Sequence, residues 1–373
     1  MAKRIGILTA GSDSPGLNAA IRAIGKTAIS AYGMQVVGFL DGFEGLVNDQ
    51  FIEVENNALS GTLTAGGTTL GTSRMKPHEF KVGNTVIDLT DQAIENYHKH
   101  HLDALVCLGG NETQESAARL SKAGLNILTL PHSIENNIPE TDVSVGFDTA
   151  LGVASEAIDR LHSTAHSHHR IMIVEITGMH AGWLTLAAGL SGGADVILIP
   201  EIPYTVEKVV EAILNRNKAG KRFSIVAIAE GAVLSENIAF FERSREMNDR
   251  MHTGEDREKV ARQLEHIQKE YPGTTLFLAD RLSTLMNLET RTTLLGYLLR
   301  GGAPSARDRI LATQLGSACL ENIQSGQFGN MLALQAGKVV PIPLESIRSR
   351  GNPVLAGHSW LISAKQVGTS LGD

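Results

Sequence analysis

The stretch Pro131-His132-Ser133-Ile134-Glu135-Asn136-Asn137 follows an apolar run at residues 125–130. Open α/β sheets place their chemistry at such a point, beyond the carboxyl end of a strand. Of these seven residues only Glu135 is an acid. A carboxylate here can take the proton of a substrate hydroxyl, provided it reaches within about 3 Å of it. The loop has the outline of an acidic phosphotransfer loop with most of the acids missing.

Three glycine-rich turns accompany it. Residues 9–18 read Thr-Ala-Gly-Ser-Asp-Ser-Pro-Gly-Leu-Asn, residues 66–74 read Gly-Gly-Thr-Thr-Leu-Gly-Thr-Ser-Arg, and residues 109–113 read Gly-Gly-Asn-Glu-Thr. Glycines after a strand let backbone N–H groups approach an anion, and the following helix turns its N-terminus toward it. None of the three is a Walker loop or a G-x-G-x-x-G fingerprint. Each alone reads equally as a tight strand-to-helix turn; together they favour a phosphate site.

Strands and helices must alternate to position these turns. Apolar runs predict strands at residues 5–9, 36–40, 104–108, 125–130, 171–176, 196–199 and 225–229. Helices are predicted at 17–31 and 113–123. A longer helix, opened by Gly146-Phe147-Asp148-Thr149-Ala150, runs to 161 and serves as a crossover between lobes. Continuous apolar runs of this kind belong to parallel strands covered on both faces, so the class is α/β, doubly wound, with two such sheets. The charged segment 242–270 reads as a solvent-facing helix with pairs such as Glu265 and Lys269.

Length and composition narrow the function. The 373 residues suit two domains. A net charge of −7 argues against a nucleic-acid footprint, while local arginines still allow a small anionic ligand. Two cysteines, Cys107 and Cys319, make no disulfide framework and fit a reducing, cytoplasmic setting. The chain starts straight into a strand with no signal segment, and no apolar run is long enough to cross a bilayer. His162, His166, His168 and His169 lack the convergent spacing of zinc ligands and read as structural or surface residues.

These motifs, in order, resemble 6-phosphofructokinase over nearly the whole chain. The resemblance is closest to the bacterial group that uses pyrophosphate or mixed donors. It is carried by G-S-D-x-P-G-x-N at Gly11, G-G-T-x-L-G at Gly66, the Gly109-Gly110 turn, the 131–137 loop and G-F-D-T-A at Gly146. Further matches are S-H-x-R ending at Arg170, E-x-x-G at Glu175, L-A-A-G-L-x-G-G-A-D at Leu186, E-T-R-x-T at Glu289 and R-G-G-x-P-S-A at Arg300. The resemblance implies two Rossmann-like lobes. Residues 1–146 with 299–349 would form the larger, phosphoryl-donor lobe, and 147–298 with 350–373 the smaller, sugar-phosphate lobe.

By the same resemblance, Arg170 and Arg291 clamp a sugar phosphate across a subunit interface, which implies a homo-oligomer, dimer or tetramer. Guanidinium forks suit that task. Ser133, Gly178, Glu230, Tyr297 and Arg300 complete the sugar-phosphate set. Tyr297 stands where many members have His. Gly11, Ser12, Arg74, Gly110, Glu112 and Thr113 are implied at the donor. Arg22 and Lys26 fall where basic effector contacts occur, and equally suit a solvated helix face.

The catalytic positions depart from the family. The general base is implied to be Glu135, one methylene longer than the family's Asp, and the second Asp is Asn137. The acid after the double glycine, which helps hold Mg²⁺, is Asn111. The family's M-G-R reads Thr177-Gly178-Met179, and the Lys and Thr of P-K-T are His132 and Ser133. Ser12 replaces a glycine. His132, if protonated, would restore one cation. Glu112 crowds a nucleotide and points toward pyrophosphate, or is simply an acid favoured by a helix N-terminus. Mg²⁺ is expected from the family but weakened by Asn111 and Asn137, because it wants carboxylate oxygens.

Two readings follow. In the first, the chain is a phosphotransferase that moves a phosphoryl group from pyrophosphate or ATP to a sugar phosphate such as fructose 6-phosphate. In the second, it is a catalytically impaired member that binds sugar phosphate as a regulatory or partner subunit. An enzyme of altered substrate or reaction on the same scaffold lies between them.

Overall fold

The computed structural model describes residues 3–82, 85–237, 274–286, 288–347 and 351–373. The predicted helix at 242–270 lies outside these. Two compact units share the chain. The first holds Met1–Ala150 and Arg300–Asn352, the second Leu151–Leu299 and Pro353–Asp373.

Thirteen strands are described: β1 (Arg4–Ala10), β2 (Gln35–Phe39), β3 (Phe51–Glu53), β4 (Phe80–Val82), β5 (Thr85–Ile87), β6 (Ala104–Gly109), β7 (Ile127–Pro131), β8 (Ile171–Ile176), β9 (Val196–Leu198), β10 (Ser224–Ala229), β11 (Thr290–Leu294), β12 (Asn330–Gln335) and β13 (Lys338–Pro343). The helices that bear on the site are α1 (Leu17–Lys26), α2 (Phe43–Asn48), α3 (Thr90–Lys99), α4 (Asn111–Lys122), α5 (Phe147–His168), α6 (Trp183–Ser191), α7 (Val206–Lys218), α8 (Thr274–Met286), α9 (Ala306–Gln324) and α10 (Ser359–Gln366).

The first unit is built on a seven-stranded sheet in the order β13-β12-β7-β6-β1-β2-β3. Its central strands are parallel, with β1 paired to both β2 and β6. The outer pairs β2–β3 and β12–β13 are antiparallel. All six residues of β6 are buried, as an apolar strand covered on both faces requires. Leu8, Phe39, Leu105, Cys107 and Leu120 share one core with Met331. The second unit carries a four-stranded sheet, β11-β8-β10-β9, parallel throughout. Ile173, Leu198, Tyr204, Val226 and Leu278 form its core.

The structure refines several sequence-based bounds. The predicted helix 17–31 is α-helical to Lys26 and continues as a π-helical turn over Thr27–Ala31. The helix predicted to end at 161 extends to His168. Its last two turns are polar and half-exposed, so no apolar stripe betrayed them. The strand predicted at 125–130 begins at Ile127, because the Leu125 N–H still closes the preceding helix on the Leu120 carbonyl.

Candidate active site

The first unit brings the glycine turns together at the carboxyl ends of β1 and β6. Gly11 sits at φ +91°, a conformation that favours glycine, and its N–H donates to the Ser73 carbonyl at 2.8 Å. The Thr72 hydroxyl donates back to the Gly11 carbonyl at 3.0 Å, and Arg74 Nη2 reaches Ser12 Oγ at 3.3 Å. A Cβ on Gly109 would lie 2.2 Å from Thr113 Oγ1 and 2.4 Å from the Ala10 carbonyl. Only glycine allows that approach. It lets the buried Thr113 hydroxyl donate to Ala10 at 3.0 Å and pin the first turn of α4 to β1. The amide of buried Asn18 donates to the carbonyls of Ala65 and Gly66, and its Oδ1 accepts from the Thr69 N–H at 2.7 Å.

Gly110 caps α4 without a side chain, so the helix presents backbone N–H groups at Asn111–Thr113. Glu112 is in this turn, largely exposed, and paired to Lys76 at 3.0 Å. Its charge is therefore compensated by a neighbour that sequence reasoning passed over.

The 131–137 loop leaves β7 and is held at both ends. His132 N–H donates to the Gly109 carbonyl at 3.1 Å, and Ser133 N–H to Val145 at 3.1 Å. Asn136 takes a positive φ of 51°, tolerable for Asn. Its Oδ1 accepts from the Ser144 N–H at 2.8 Å.

Inside the loop, three side chains close a ring. The Glu135 N–H donates to Ser133 Oγ at 3.1 Å, and the Ser133 hydroxyl donates to Asn137 Oδ1 at 2.8 Å. Asn137 Nδ2 then donates to Glu135 Oε2 at 3.1 Å. The Asn137 carbonyl accepts from Asn111 Nδ2 at 3.0 Å and from the Asn352 N–H at 2.9 Å.

His132 does not restore a cation. It is buried, its Nδ1 lies 3.2 Å from Ser14 Oγ, and its Nε2 has no hydrogen-bond partner. Burial drives its pKa down to about 3, so the ring is neutral at physiological pH.

The same residues test the fit of Mg²⁺. The loop supplies one carboxylate, Glu135, and one of its oxygens already accepts from Asn137. Asn111 offers an uncharged Oδ1, buried without a hydrogen-bond partner. Among the described residues no three His, Cys, Asp or Glu side chains gather to hold a metal. A divalent ion bound chiefly by protein carboxylates does not fit this donor set.

In the second unit, Arg170 lies between α5 and β8, and Arg291 lies on β11, which pairs with β8. Glu289 binds both: its Oε2 accepts from Arg170 Nε and its Oε1 from Arg291 Nη2. The Arg170 hydrogen bond, with the charges of both arginines, holds the Glu289 carboxyl below its ordinary range. Two cations on one acid make a patch with a net positive charge, suited to an anionic ester.

Beyond β8, the Gly178 carbonyl accepts from the Gly231 N–H at 3.1 Å, and a Cβ on Gly231 would meet the Met179 carbonyl at 2.1 Å. Met179 and Glu230 are exposed, and Tyr297 is 80% exposed. Arg300 begins the return to the first unit, with Nη1 4.0 Å from Asp13. Arg170, Gly178, Glu230, Arg291 and Tyr297 thus fall in the second unit. Ser133, Arg300 and the donor-side residues fall in the first.

Sequence reasoning missed Lys76, Asn136, Glu289 and Asn352 as site-shaping residues. Glu289 was within reach: alternation along a strand sets it beside Arg291 on a motif already noticed.

The phosphofructokinase family profile matches residues 4–323. The chain belongs to the phosphofructokinase family. The ATP-dependent 6-phosphofructokinase of Propionibacterium freudenreichii subsp. shermanii is 47% identical over 373 residues, covering 100% of both chains. The phosphofructokinase of Pichia pastoris, solved in the T-state, superposes with a TM-score of 0.75 at 30% identity. That match covers 93% of this chain and 35% of the Pichia chain, so this chain spans about a third of it. The pyrophosphate-dependent phosphofructokinase of Marinobacter aquaeolei gives a TM-score of 0.76 at 19% identity, covering 99% and 88%. At that identity the likeness is one of fold. The doubly wound α/β architecture of this chain is therefore that of the phosphofructokinases.

Proposed function

We propose that this phosphofructokinase-family chain is a phosphotransferase that moves the terminal phosphoryl group of ATP to a hydroxyl of a sugar phosphate, with fructose 6-phosphate the first candidate. The observation that carries this reading is the ring that fixes Glu135, the one acid of the 131–137 loop, by a hydrogen bond from Asn137. Glu135 takes the proton of the acceptor hydroxyl as its oxygen bonds to phosphorus and the bridging bond to ADP breaks. Arg170 and Arg291 hold the phosphate already on the sugar, Glu230 and the Gly178 backbone orient its hydroxyls, and Ser133, Tyr297 and Arg300 complete the acceptor set. The donor phosphates lie against Gly11, Ser12, Arg74, Gly110 and Thr113, at the positive end of α4.

Residues 1–150 with 300–352 then carry the donor set together with Glu135, Ser133 and Arg300, and the rest carries the other acceptor residues, in a homo-oligomer with cytoplasmic residence. ATP is favoured over pyrophosphate by the full-length similarity to an ATP-dependent relative, while Lys76 compensates the charge of Glu112 for either anionic donor. The carboxylate-poor cluster assigns no step to a protein-held metal.

A second reading, a sugar-phosphate-binding subunit without turnover, is favoured by neutral His132 and by Met179. Both stand where the resemblance puts cations. Losing one preorganised charge costs about 10²–10³ in rate. A coupled assay with fructose 6-phosphate and ATP, run beside calorimetric binding of the sugar phosphate, separates the readings. Bisphosphate formation supports the first. Binding with no product from either ATP or pyrophosphate overturns it in favour of the second.

A further inference from the structure

We propose that a neutral amide latch organises the 131–137 loop of this chain without a divalent cation, Asn111 and Asn137 tying it directly to the donor-side helix α4. This deepens the donor-side assignment above and rests on it.

The latch follows from the direction of each hydrogen bond. The Asn137 carbonyl accepts from Asn111 Nδ2 at 3.0 Å and from the Asn352 N–H at 2.9 Å, which uses both of its lone pairs. The Asn137 side chain accepts from Ser133 at one end and donates to Glu135 at the other. An amide does both, which an ionised carboxylate cannot. A carboxylate at 137 would face Glu135 with like charge. A carboxylate at 111 would set oxygen against the Asn137 carbonyl, with no proton between them.

The two amides therefore suit each other and suit a single carboxylate. A cation that took the Asn137 carbonyl or Glu135 Oε2 as a ligand would compete with the Asn111 bond, the Asn352 bond or the Asn137–Glu135 bond. The latch also joins segments far apart in sequence: the first turn of α4, the loop after β7 and the backbone of Asn352. Cross-linking of this kind is what a bridging ion would otherwise supply.

The test uses the full-length protein, wild type and Asn111→Ala, with Asn111→Ser as a second variant should the first fail to fold. Backbone hydrogen exchange of residues 131–138 is followed in EDTA and in Mg²⁺, with nucleotide absent. Water-proton relaxation of added Mn²⁺ reports metal binding by the wild type. In the wild type, loop protection is expected to be the same in both buffers, with no Mn²⁺ bound in stoichiometric amount. In the variants, protection falls roughly fivefold to tenfold, as for one lost hydrogen bond, and Mg²⁺ does not restore it. A rise in wild-type protection on adding Mg²⁺, one Mn²⁺ bound per wild-type chain, or variants as protected as wild type would each overturn the proposal. None of these readouts requires turnover. An inactive wild type would therefore remove the phosphotransferase reading and leave the latch standing or falling on its own measurements.

Discussion

Asn137 Nδ2 lies 3.1 Å from Glu135 Oε2, and the donor is an uncharged amide. The acid of the loop is thus oriented by a neighbour that adds no negative charge. Replacing Asn137 alone by Asp sets two carboxylates within about 3 Å, which raises the proton affinity of the pair. The expected outcome is an acidic limb of the kcat/KM profile moved upward by about 1–2 pH units and lower turnover at neutral pH. An unchanged profile, measured in the coupled assay across pH, would show that Asn137 does not orient Glu135.

His132 makes acid stability a readout of the loop. Its folded pKa of about 3 lies below the unfolded 6.5, so the unfolded chain binds the extra proton. The stability it contributes is complete above pH 6.5 and is lost as pH falls toward 3. Between pH 7.5 and 5 the wild type should lose about 2 kcal/mol more than His132→Asn, as read from urea unfolding at each pH. His78 and His358 are also shifted down, chiefly by burial, and remain in both proteins, so the difference isolates His132.

Glu289 binds Arg170 and Arg291, the proposed clamp on the sugar phosphate. Glu289→Gln frees charge on both guanidinium groups. Binding of fructose 6-phosphate, followed by calorimetry, should tighten several-fold and become steeper in its salt dependence. A tenfold weakening would show instead that the acid holds the two arginines in their binding geometry.

Lys76 shields Glu112 at the head of α4. Lys76→Met leaves that acid uncompensated beside the proposed donor site, and the KM for ATP should rise several-fold. Adding Glu112→Gln should reverse most of the rise. An effect of Lys76→Met that persists unchanged in the double variant would mean that Lys76 acts on the donor directly.

Much of the fold was legible because strands such as β6 and β10 are buried along their whole length, leaving apolar runs between glycine turns. The β12–β13 hairpin was not. Lys338–Pro343 is an outer strand with no buried residue, and two prolines break up its short apolar stretch. In the site, residue types were legible and directions were not. Nothing in the spelling of Asn111 or Asn137 says which end of each amide faces which partner. The contact from Asn352 closes over more than two hundred residues of chain. His132 read as a usable cation because its burial depends on Ser14 and Gly16, brought in by the first strand.

The most direct measurement is turnover of fructose 6-phosphate with ATP by wild type and Glu135→Gln, with sugar-phosphate affinity determined on the same preparations. With Glu135 as the base, wild type forms the bisphosphate, the variant falls by about 10²–10⁴ in kcat, and affinity stays the same. Equal turnover in the two proteins, or none in a wild type that binds the sugar phosphate, would contradict it.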